Sequence, residues 1–264
     1  MYSCNTMTSV TCHHHLNMFY KPAITPHGLS HDPFKVRHTQ NDVRVEANWY
    51  QACVVPRAIG WISTVSKTGV ANLAPYSQFT NVSFDPPMVM FSSNQNPDGS
   101  RKDTVNNIEA TGAFCWQLCT YDLRDAVNGS AEALAPSRDE FESTNLEKTW
   151  SQSLRVPVPM VKASPVRFEC EYIHTVRLPG NPPLGSVDVI FGKVVGVHID
   201  DRVLSDGKID IKKTNPIARL GYFDYGVIND SFQMIIPGDE RLLIGVSYQT
   251  RSIPLILMVS TVIG

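Results

Sequence analysis

The stretch that decides the fold covers residues 56–104 and reads PRAIGWISTVSKTGVANLAPYSQFTNVSFDPPMVMFSSNQNPDGSRKDT. It opens with GWISTVS, an apolar and β-branched run that is typical of a strand. Lys67-Thr68-Gly69 then carries the signal of a hairpin turn, after which VANLA resumes the strand pattern. Pro86-Pro87 precedes MVMFSS, a nearly continuous apolar run that indicates a strand buried on both faces. The stretch therefore predicts short strands that are joined by tight turns.

A basic and hydroxyl-bearing cluster, Arg101-Lys102-Asp103-Thr104, closes this stretch. Either Asp103 or Thr104 is expected to cap a helix that ends at Gly112. The free N–H groups and partial positive charge of a helix N-terminus favour an anion by roughly 1 kcal/mol. Lys102 or Arg101 would add a full positive charge. The cluster therefore predicts a site for a phosphate group.

The rest of the chain adds more strand than helix. Phe114, Trp116 and Leu118 alternate with cysteine and glutamine, as in a half-buried strand. Further strands are predicted over residues 114–119, 166–176 and 186–199, and helices over residues 46–53, 121–134 and, after a capping box at 137–140, around Phe141. The proline-containing residues 143–165 are predicted to be mostly loop.

This pattern favours a mainly β fold with inserted helices, in which the antiparallel strands close into a barrel, over a doubly wound sheet. The chain has neither a GxGxxG fingerprint after a strand nor a GxxxxGK[ST] loop. These absences argue against a Rossmann site and against a Walker-type phosphate loop.

The amino-acid composition limits which kinds of partner the protein is expected to bind. Of the 264 residues 42% are apolar and 18% are charged, which argues against wholesale disorder. The formal net charge of −2 gives no electrostatic reason to expect nucleic acid or an anionic membrane surface. The apolar run at residues 253–263 is about eleven residues long, whereas a bilayer crossing takes about 20. We therefore expect no membrane span, and a small molecule as the partner.

The six cysteines include no CxxC pair. A chain of this length does not need disulfides for stability, so reduced thiols in a cytoplasmic protein are expected. Cys115 and Cys119 are predicted to be buried free thiols, since no further metal ligands lie near them in the sequence. The first twenty residues lack the apolar core of a signal peptide. We expect a flexible leader over residues 1–45, one domain over residues 46–237, and an unassigned apolar tail over residues 238–264.

With these segments in order, the chain resembles the flavin reductase-like family of FMN-binding split β-barrels. The resemblance covers about residues 50–235. The motifs that carry it are PRAIGWISTVS, GVANLAPYS, SFDPPMVMFSS, RKDTVNNIEATGAF, SPVRFECEY, GKVVGVHIDD and PIARLGYFDY. It implies a homodimer in which the flavin lies in a groove between the two subunits.

The resemblance also assigns residues to the cofactor. Ser63 and Thr64 are expected at its ribityl chain or ring edge, and Ser92 and Ser93 near its phosphate end. The residues expected to line the isoalloxazine, partly through backbone groups, are Asn72, Ala74, Pro75, Tyr76 and Ser77. The residues expected to hold the phosphate are Arg101, Lys102, Asp103 and Thr104, in agreement with the helix-start argument.

These assignments compete with ordinary structural roles. Ser63 and Thr64 can instead satisfy a strand edge, and Lys102 can be a solvated surface lysine. Trp61 is either a core residue or a flavin-stacking one. Arg219 either reaches the cofactor or an acidic substrate, or forms an interface salt bridge.

Two further positions bear on catalysis. His198 is a weak catalytic candidate, since an imidazole can donate to a nicotinamide or a substrate near neutral pH, and a satisfied strand histidine is the alternative. Relatives in this family often carry two glycines after Arg-Leu, whereas here Gly221 is followed by Tyr222 and Phe223. This aromatic pair is expected to reshape the substrate cleft.

The function that the resemblance implies is NAD(P)H-dependent reduction of bound FMN, with onward transfer to free flavin, oxygen or a small organic acceptor. FMN would carry the redox chemistry itself, so no acid–base pair or nucleophilic triad is required. One alternative is an FMN-dependent tailoring oxidase or oxygenase that acts on one small molecule. Another is a non-catalytic FMN-binding electron carrier.

Overall fold

A computed structural model describes residues 49–180, 185–234 and 237. The leader and the apolar tail expected from the sequence lie outside the described residues. In chain order the strands are β1 (Gly60–Val65), β2 (Ala71–Tyr76), β3 (Phe79–Phe84), β4 (Pro87–Asn94), β5 (Ala113–Gln117), β6 (Lys148–Trp150), β7 (Pro159–Val161), β8 (Val166–Leu178), β9 (Val187–Ile199), β10 (Leu204–Ser205), β11 (Lys208–Ile209), β12 (Ile217–Arg219) and β13 (Tyr225–Val227). The helices are α1 (Trp49–Cys53), α2 (Asp103–Thr111), α3 (Arg124–Gly129), α4 (Glu140–Ser143) and α5 (Ile211–Thr214).

One antiparallel sheet of seven strands, in the order β2-β1-β5-β8-β9-β4-β3, organises the fold. Its two edge strands, β2 and β3, are consecutive in the chain and are joined only by residues 77 and 78. The N–H of Ser92 on β4 donates a hydrogen bond to the carbonyl oxygen of Gln78 in this link, at 3.0 Å. The chain therefore connects the two edges, and the sheet curls around on itself as the sequence predicts. The pairs β6–β7, β10–β11 and β12–β13 form separate two-stranded sheets.

Aromatic side chains fill the inside of the curled sheet. The Phe79 ring stacks on the Trp116 ring at 5.3 Å between centroids, and Tyr76 packs against Phe91 at 4.8 Å. A β-carbon at Gly60 would lie 2.9 Å from the Phe79 ring, so this close approach requires glycine. Trp61 is fully buried, and its indole N–H donates to the Ser130 hydroxyl at 2.9 Å. This contact confirms the core interpretation of that tryptophan.

Several sequence-based predictions are confirmed. Gly69 has φ of 86° in the turn between β1 and β2, and the N–H of Ser66 donates to the Val70 carbonyl oxygen at 2.8 Å. Helix α2 ends at Gly112, which is left-handed with φ of 74°. Cys115 and Cys119 are buried free thiols, and burial raises the pKa of both. The apolar run at residues 253–263 lies outside the described residues, among which no helix is long and apolar enough to cross a membrane.

Other predictions of local structure are wrong or incomplete. Residues 121–134 do not form one helix: a 3₁₀ turn is followed by α3, which ends at Gly129. Just after this end, the Ser130 hydroxyl donates to the Val127 carbonyl oxygen. The prediction that residues 143–165 are mostly loop is confirmed, although this stretch also contains the short paired strands β6 and β7. The N-cap of α2 is Lys102 rather than Asp103 or Thr104, and no side chain caps this helix. The N-cap of α4 is Asp139, whose carboxylate accepts from the Phe141 N–H at 2.9 Å.

Candidate functional site

A polar cavity of about 180 Å³ lies between β2, the N-terminus of α2 and the segment that leads to α4. Its lining joins two parts of the chain that the sequence assigns to one ligand. From β2 come Asn72, Ala74, Pro75 and Tyr76, and from the start of α2 come Lys102, Asp103 and Thr104. The remaining lining residues are Asn96, Ser130, Ala131, Glu132, Ala133, Leu134 and Glu140. Seven of the residues predicted to bind the cofactor therefore share this one cavity.

Hydrogen bonds between side chains hold β2 against α2. The Nδ2 amide of Asn72 donates to Oγ1 of Thr104 at 2.9 Å, and the Thr104 side chain is almost fully buried. Burial raises the pKa of Tyr76 to about 12, although its phenol interacts with the hydroxyls of Thr104 and Ser93. Tyr76 therefore stays protonated at neutral pH and serves as a neutral hydrogen-bonding group. Ser93 does not line the cavity, but this contact places it next to a residue that does.

The start of α2 supplies free hydrogen-bond donors to the cavity. The N–H groups of Val105 and Asn106 donate to the Lys102 carbonyl oxygen at 3.0 and 3.1 Å. No described residue accepts a hydrogen bond from the N–H of Asp103 or Thr104. Lys102 has no carboxylate of the described residues within 4.0 Å of its ammonium group. A helix end with two open N–H groups and one unpaired cation can bind an anion.

Arg101 does not join this cavity. Its guanidinium donates two hydrogen bonds to Glu109, at 2.6 and 2.7 Å, and its Nε donates to Asp188 at 3.0 Å. Both contacts raise the pKa of Arg101, the Glu109 contact most strongly. Asp188 is only 2% exposed and is also approached by Arg177 at 3.3 Å. The predicted basic cluster thus presents a single cation, Lys102, to the cavity, and the cofactor role of Arg101 stays a prediction.

Glu140 is a site residue that the sequence reasoning did not identify. Its side chain is almost fully buried, and Oε2 accepts a hydrogen bond from the Leu73 N–H on β2 at 2.9 Å. Burial is the main cause that raises the pKa of this carboxyl. The sequence pattern assigns Glu140 to a capping box, so no signal in the sequence distinguishes this role from a cavity-lining one. A contact between residues 67 positions apart depends on how the chain packs.

Besides Ser93, four other serine and threonine residues predicted to bind the cofactor do not line the cavity. The Ser63 hydroxyl is fully buried and donates to the Pro159 carbonyl oxygen at 2.5 Å, which joins β1 to β7. Thr64 is also fully buried and accepts from the Asn107 amide at 3.1 Å. Ser77 lies in the link between β2 and β3, and Ser92 lies half-buried on β4. Their roles toward a cofactor stay predictions.

The turn between β12 and β13 carries the predicted substrate-cleft residues. Arg219 donates to the Tyr222 carbonyl oxygen at 2.7 Å, and its guanidinium lies 4.6 Å from the centre of the Tyr225 ring. Tyr222 is 40% exposed and Phe223 is 80% exposed, and neither lines the cavity. No salt bridge joins Arg219 to a carboxylate within the described part of the chain. The predicted roles of all three residues stay untested by these contacts.

His198 lies on β9, outside the cavity lining. Its Nε2 is 2.6 Å from Oε1 of Glu169, which is fully buried. The Glu169 carboxylate also accepts from the N–H groups of Gln152 and Ser153, at 2.8 and 2.7 Å. Burial alone would raise the pKa of Glu169, but the hydrogen bonds outweigh it and the pKa is lowered. His198 therefore has a hydrogen-bond partner within the protein, and its catalytic role stays a prediction.

The protein is thus mainly β, and it has a polar cavity that Lys102 and the start of α2 help to line. The flavin reductase like domain matches residues 52–226, which is more than half of the chain. The chain therefore belongs to the flavin reductase-like family, as the sequence motifs predict. This family places the protein among the flavin-related oxidoreductases.

Individual relatives agree with this assignment. An uncharacterized protein from Aquifex aeolicus is 33% identical over 189 residues, which cover 71% of this chain and 91% of the relative. Nitrilotriacetate monooxygenase component B from Bacillus cereus has a similar structure, with 30% identity, a TM-score of 0.66, and coverage of 70% of this chain and 91% of the other. A putative flavin reductase with a split barrel domain from Shewanella frigidimarina has a TM-score of 0.63 at 20% identity, and the match covers 74% of this chain and 93% of the other. This last match shows the fold, which is the predicted split barrel.

Proposed function

We propose that this protein binds FMN, with the phosphate at the start of α2, and uses it as an NAD(P)H-dependent flavin oxidoreductase. The observation that carries the proposal is the cavity that brings the β2 residues Asn72 to Tyr76 together with Lys102, Asp103 and Thr104. Membership of the flavin reductase-like family supports a flavin as the ligand.

The residues present fit a phosphate. Lys102 offers a positive charge, and the N–H groups of Asp103 and Thr104 are open to an acceptor. The nine-residue helix α2 also places its partial positive charge at this end. A phosphate at this position would be held by charge-assisted hydrogen bonds, which are the stronger kind.

The size of the cavity limits what it can hold. Pockets that enclose a whole ligand of this kind usually measure about 300–1,000 Å³, so a cavity of about 180 Å³ would take one end of FMN. We propose that Ala74, Pro75 and Tyr76 extend the site along β2, and that a second copy of the chain completes it. The protein would then act as a homodimer, in which each flavin contacts both subunits.

FMN, when bound, would supply the redox chemistry for reduction by NADH or NADPH and for electron transfer to free flavin, oxygen or a small organic acceptor. The protein's own residues bind and orient the cofactor. The described residues that line the cavity include no histidine and no cysteine, and Tyr76 is neutral. None of these residues needs to transfer a proton for hydride delivery, which agrees with the absence of a catalytic triad from the sequence motifs.

The test is to purify the full chain and record its absorption spectrum. Protein freed of ligand is then titrated with FMN, and the complex is mixed anaerobically with NADH or NADPH. We expect flavin absorbance bands, saturable FMN binding, and bleaching by at least one nicotinamide. A colourless protein that takes up no FMN, and consumes no NAD(P)H when FMN is added, would falsify the proposal. Tight FMN binding without bleaching would instead identify an electron carrier that a partner reduces.

A tailoring oxidase or oxygenase is a second candidate, because the β12–β13 turn presents Tyr222 and Phe223 to solvent. The family resemblance leads us to expect two glycines here, so the two aromatic side chains of this chain could contact one particular substrate. Flavin turnover that requires an added organic compound would favour this candidate. Steady NAD(P)H oxidation with FMN alone would count against it.

A further inference from the structure

Glu140 places a nearly buried carboxyl group on the cavity wall. The residue is 7% exposed, and one of its oxygens, Oε2, accepts a hydrogen bond from the Leu73 N–H at 2.9 Å. Leu73 belongs to β2, an edge strand of the main sheet, so this contact satisfies a backbone group that no neighbouring strand pairs. The N–H of Glu140 itself also interacts with this carboxyl, and no other described residue donates a hydrogen bond to Oε1. Oε2 therefore has a structural role, and Oε1 is the oxygen left to interact with a ligand in the cavity.

The charges around Glu140 are mostly negative. The titratable and charged groups that face it or share its cavity are Asp139 of its own helix, Tyr76 of β2, Lys102 and Asp103 of α2, and Glu132 of the segment before α4. Asp139 is paired with Lys148 of β6, and Tyr76 is neutral. Among the described residues that line the cavity, Lys102 is thus the only cation, and Asp103, Glu132 and Glu140 carry carboxyl groups.

A phosphomonoester carries a charge of about −1.5 to −2 at neutral pH. Bringing it next to an ionised and desolvated Glu140 would set two like charges against each other in a site with one cation. The neutral acid form of Glu140 removes this repulsion. Its Oε2 still accepts from Leu73, while the proton on Oε1 can be donated to a ligand oxygen. Burial, together with the nearby Asp139 and Asp103 carboxylates, already raises the pKa of this group.

We propose that Glu140 makes the cavity bind a phosphomonoester together with one proton, which is taken from solvent and stays on Glu140. This inference rests on the proposed function and adds a specificity-determining residue to it. Flavin that carries a phosphate would bind more weakly as the pH rises, because its binding requires a proton and the proton concentration in the solvent is then lower. Riboflavin has no phosphate, so its binding would not take up this proton.

The experiment compares the full-length wild-type protein with Glu140→Gln. Glutamine keeps an acceptor for the Leu73 N–H and a donor toward the ligand, but it has no charge and no titration. FMN and riboflavin affinities are measured by calorimetry at several pH values, in two buffers with different ionisation enthalpies. At about pH 8 the phosphate, whose second pKa is about 6, is already fully ionised, so proton uptake reports on the protein. Glu142→Gln is the matched control, because Glu142 lies on the same helix as Glu140 but is exposed and does not line the cavity.

We expect wild-type protein to take up a proton with FMN and not with riboflavin. Its FMN affinity should fall by up to about tenfold per pH unit relative to that of Glu140→Gln, which should bind FMN more tightly at about pH 8. Equal pH profiles for wild type and Glu140→Gln would overturn the inference while leaving the proposed function intact. Absence of FMN binding at every pH would instead remove the proposed function. If Glu140→Gln does not fold, the comparison of FMN with riboflavin binding to the wild-type protein tests the inference by itself. Equal proton uptake with the two ligands then overturns the inference.

Discussion

The Nδ2 amide of Asn72 lies 2.9 Å from Oγ1 of Thr104, and this hydrogen bond joins the edge strand β2 to the first turn of α2. The two residues are 32 positions apart, and each belongs to a different motif of the family resemblance. Thr104 is almost fully buried, so the contact is shielded from water. It fixes the open N–H groups of α2 beside the β2 residues that line the same cavity.

Replacing Lys102 tests the phosphate position. We expect Lys102→Ala to weaken FMN binding by about 1.5–3 kcal/mol, because it removes the only cation among the described residues that line the cavity. Riboflavin binding should change little, since riboflavin has no phosphate to meet that charge. The affinities are measured by quenching of flavin fluorescence. Lys67→Ala is the control, since Lys67 is an exposed lysine in the β1–β2 turn. Equal FMN affinity in wild type and Lys102→Ala would place the phosphate elsewhere.

Removing the Thr104 hydroxyl should loosen the start of α2. Thr104→Val keeps the shape of the side chain but leaves the Asn72 amide without its acceptor, which is expected to lower the free energy of unfolding by about 1 kcal/mol. FMN affinity should fall as well, because the donors of α2 are no longer held against β2. Urea denaturation measures the stability, and Thr80→Val on the exposed face of β3 is the matched substitution. If both variants unfold at the same urea concentration, the Asn72 contact contributes no stability.

Arg101 gives a prediction that separates structure from ligand binding. Its hydrogen bonds to Glu109 and to the buried Asp188 connect α2 with β9, so Arg101→Ala should lower the free energy of unfolding by about 2 kcal/mol. Arg202→Ala is a control that removes an exposed pair with Asp200 and should change stability little. FMN affinity at a temperature where both variants are folded completes the test. If Arg101→Ala is as stable as wild type but loses much of its FMN affinity, Arg101 contributes to phosphate binding and not to stability.

Local backbone chemistry explains which parts of the fold the sequence predicts correctly. Gly69 and Gly112 occupy left-handed positions that favour glycine, so the hairpin turn and the end of α2 are readable from a few neighbouring residues. The apolar run after Pro87 likewise corresponds to β4. The pairing of β6 with β7 was missed because it depends on a cross-strand contact rather than on a local pattern.

The candidate site is predictable in part for the same reason. The order of the motifs predicts that Asn72 and Lys102 bind the same cofactor, and both residues line the cavity. The sequence does not reveal that Arg101 is paired with Asp188, which lies 87 positions away, or that Glu140 reaches the N–H of Leu73. Charge partners of this kind are set by packing, and they decide how many cations and carboxylates a site presents.

The buried Glu169 carboxylate makes stability depend on pH. Its pKa is lowered in the folded protein, so it contributes stability above its ordinary value of 4.5 and loses this contribution as the pH falls through the folded value. At neutral pH we expect Glu169→Gln to be less stable by about 3 kcal/mol, because an amide cannot accept the hydrogen bonds from Gln152, Ser153 and His198 together.

Urea unfolding of wild type and Glu169→Gln from about pH 7 down to about pH 3 checks this prediction. The stability difference between the two proteins should shrink on the acid side of 4.5, since protonated Glu169 no longer attracts its donors as a carboxylate. Glu142→Gln, at an exposed position of α4, should follow the wild-type curve throughout. A difference that stays constant over the whole range would mean that the loss in Glu169→Gln comes from side-chain packing, and that the charge on Glu169 does not stabilise the fold.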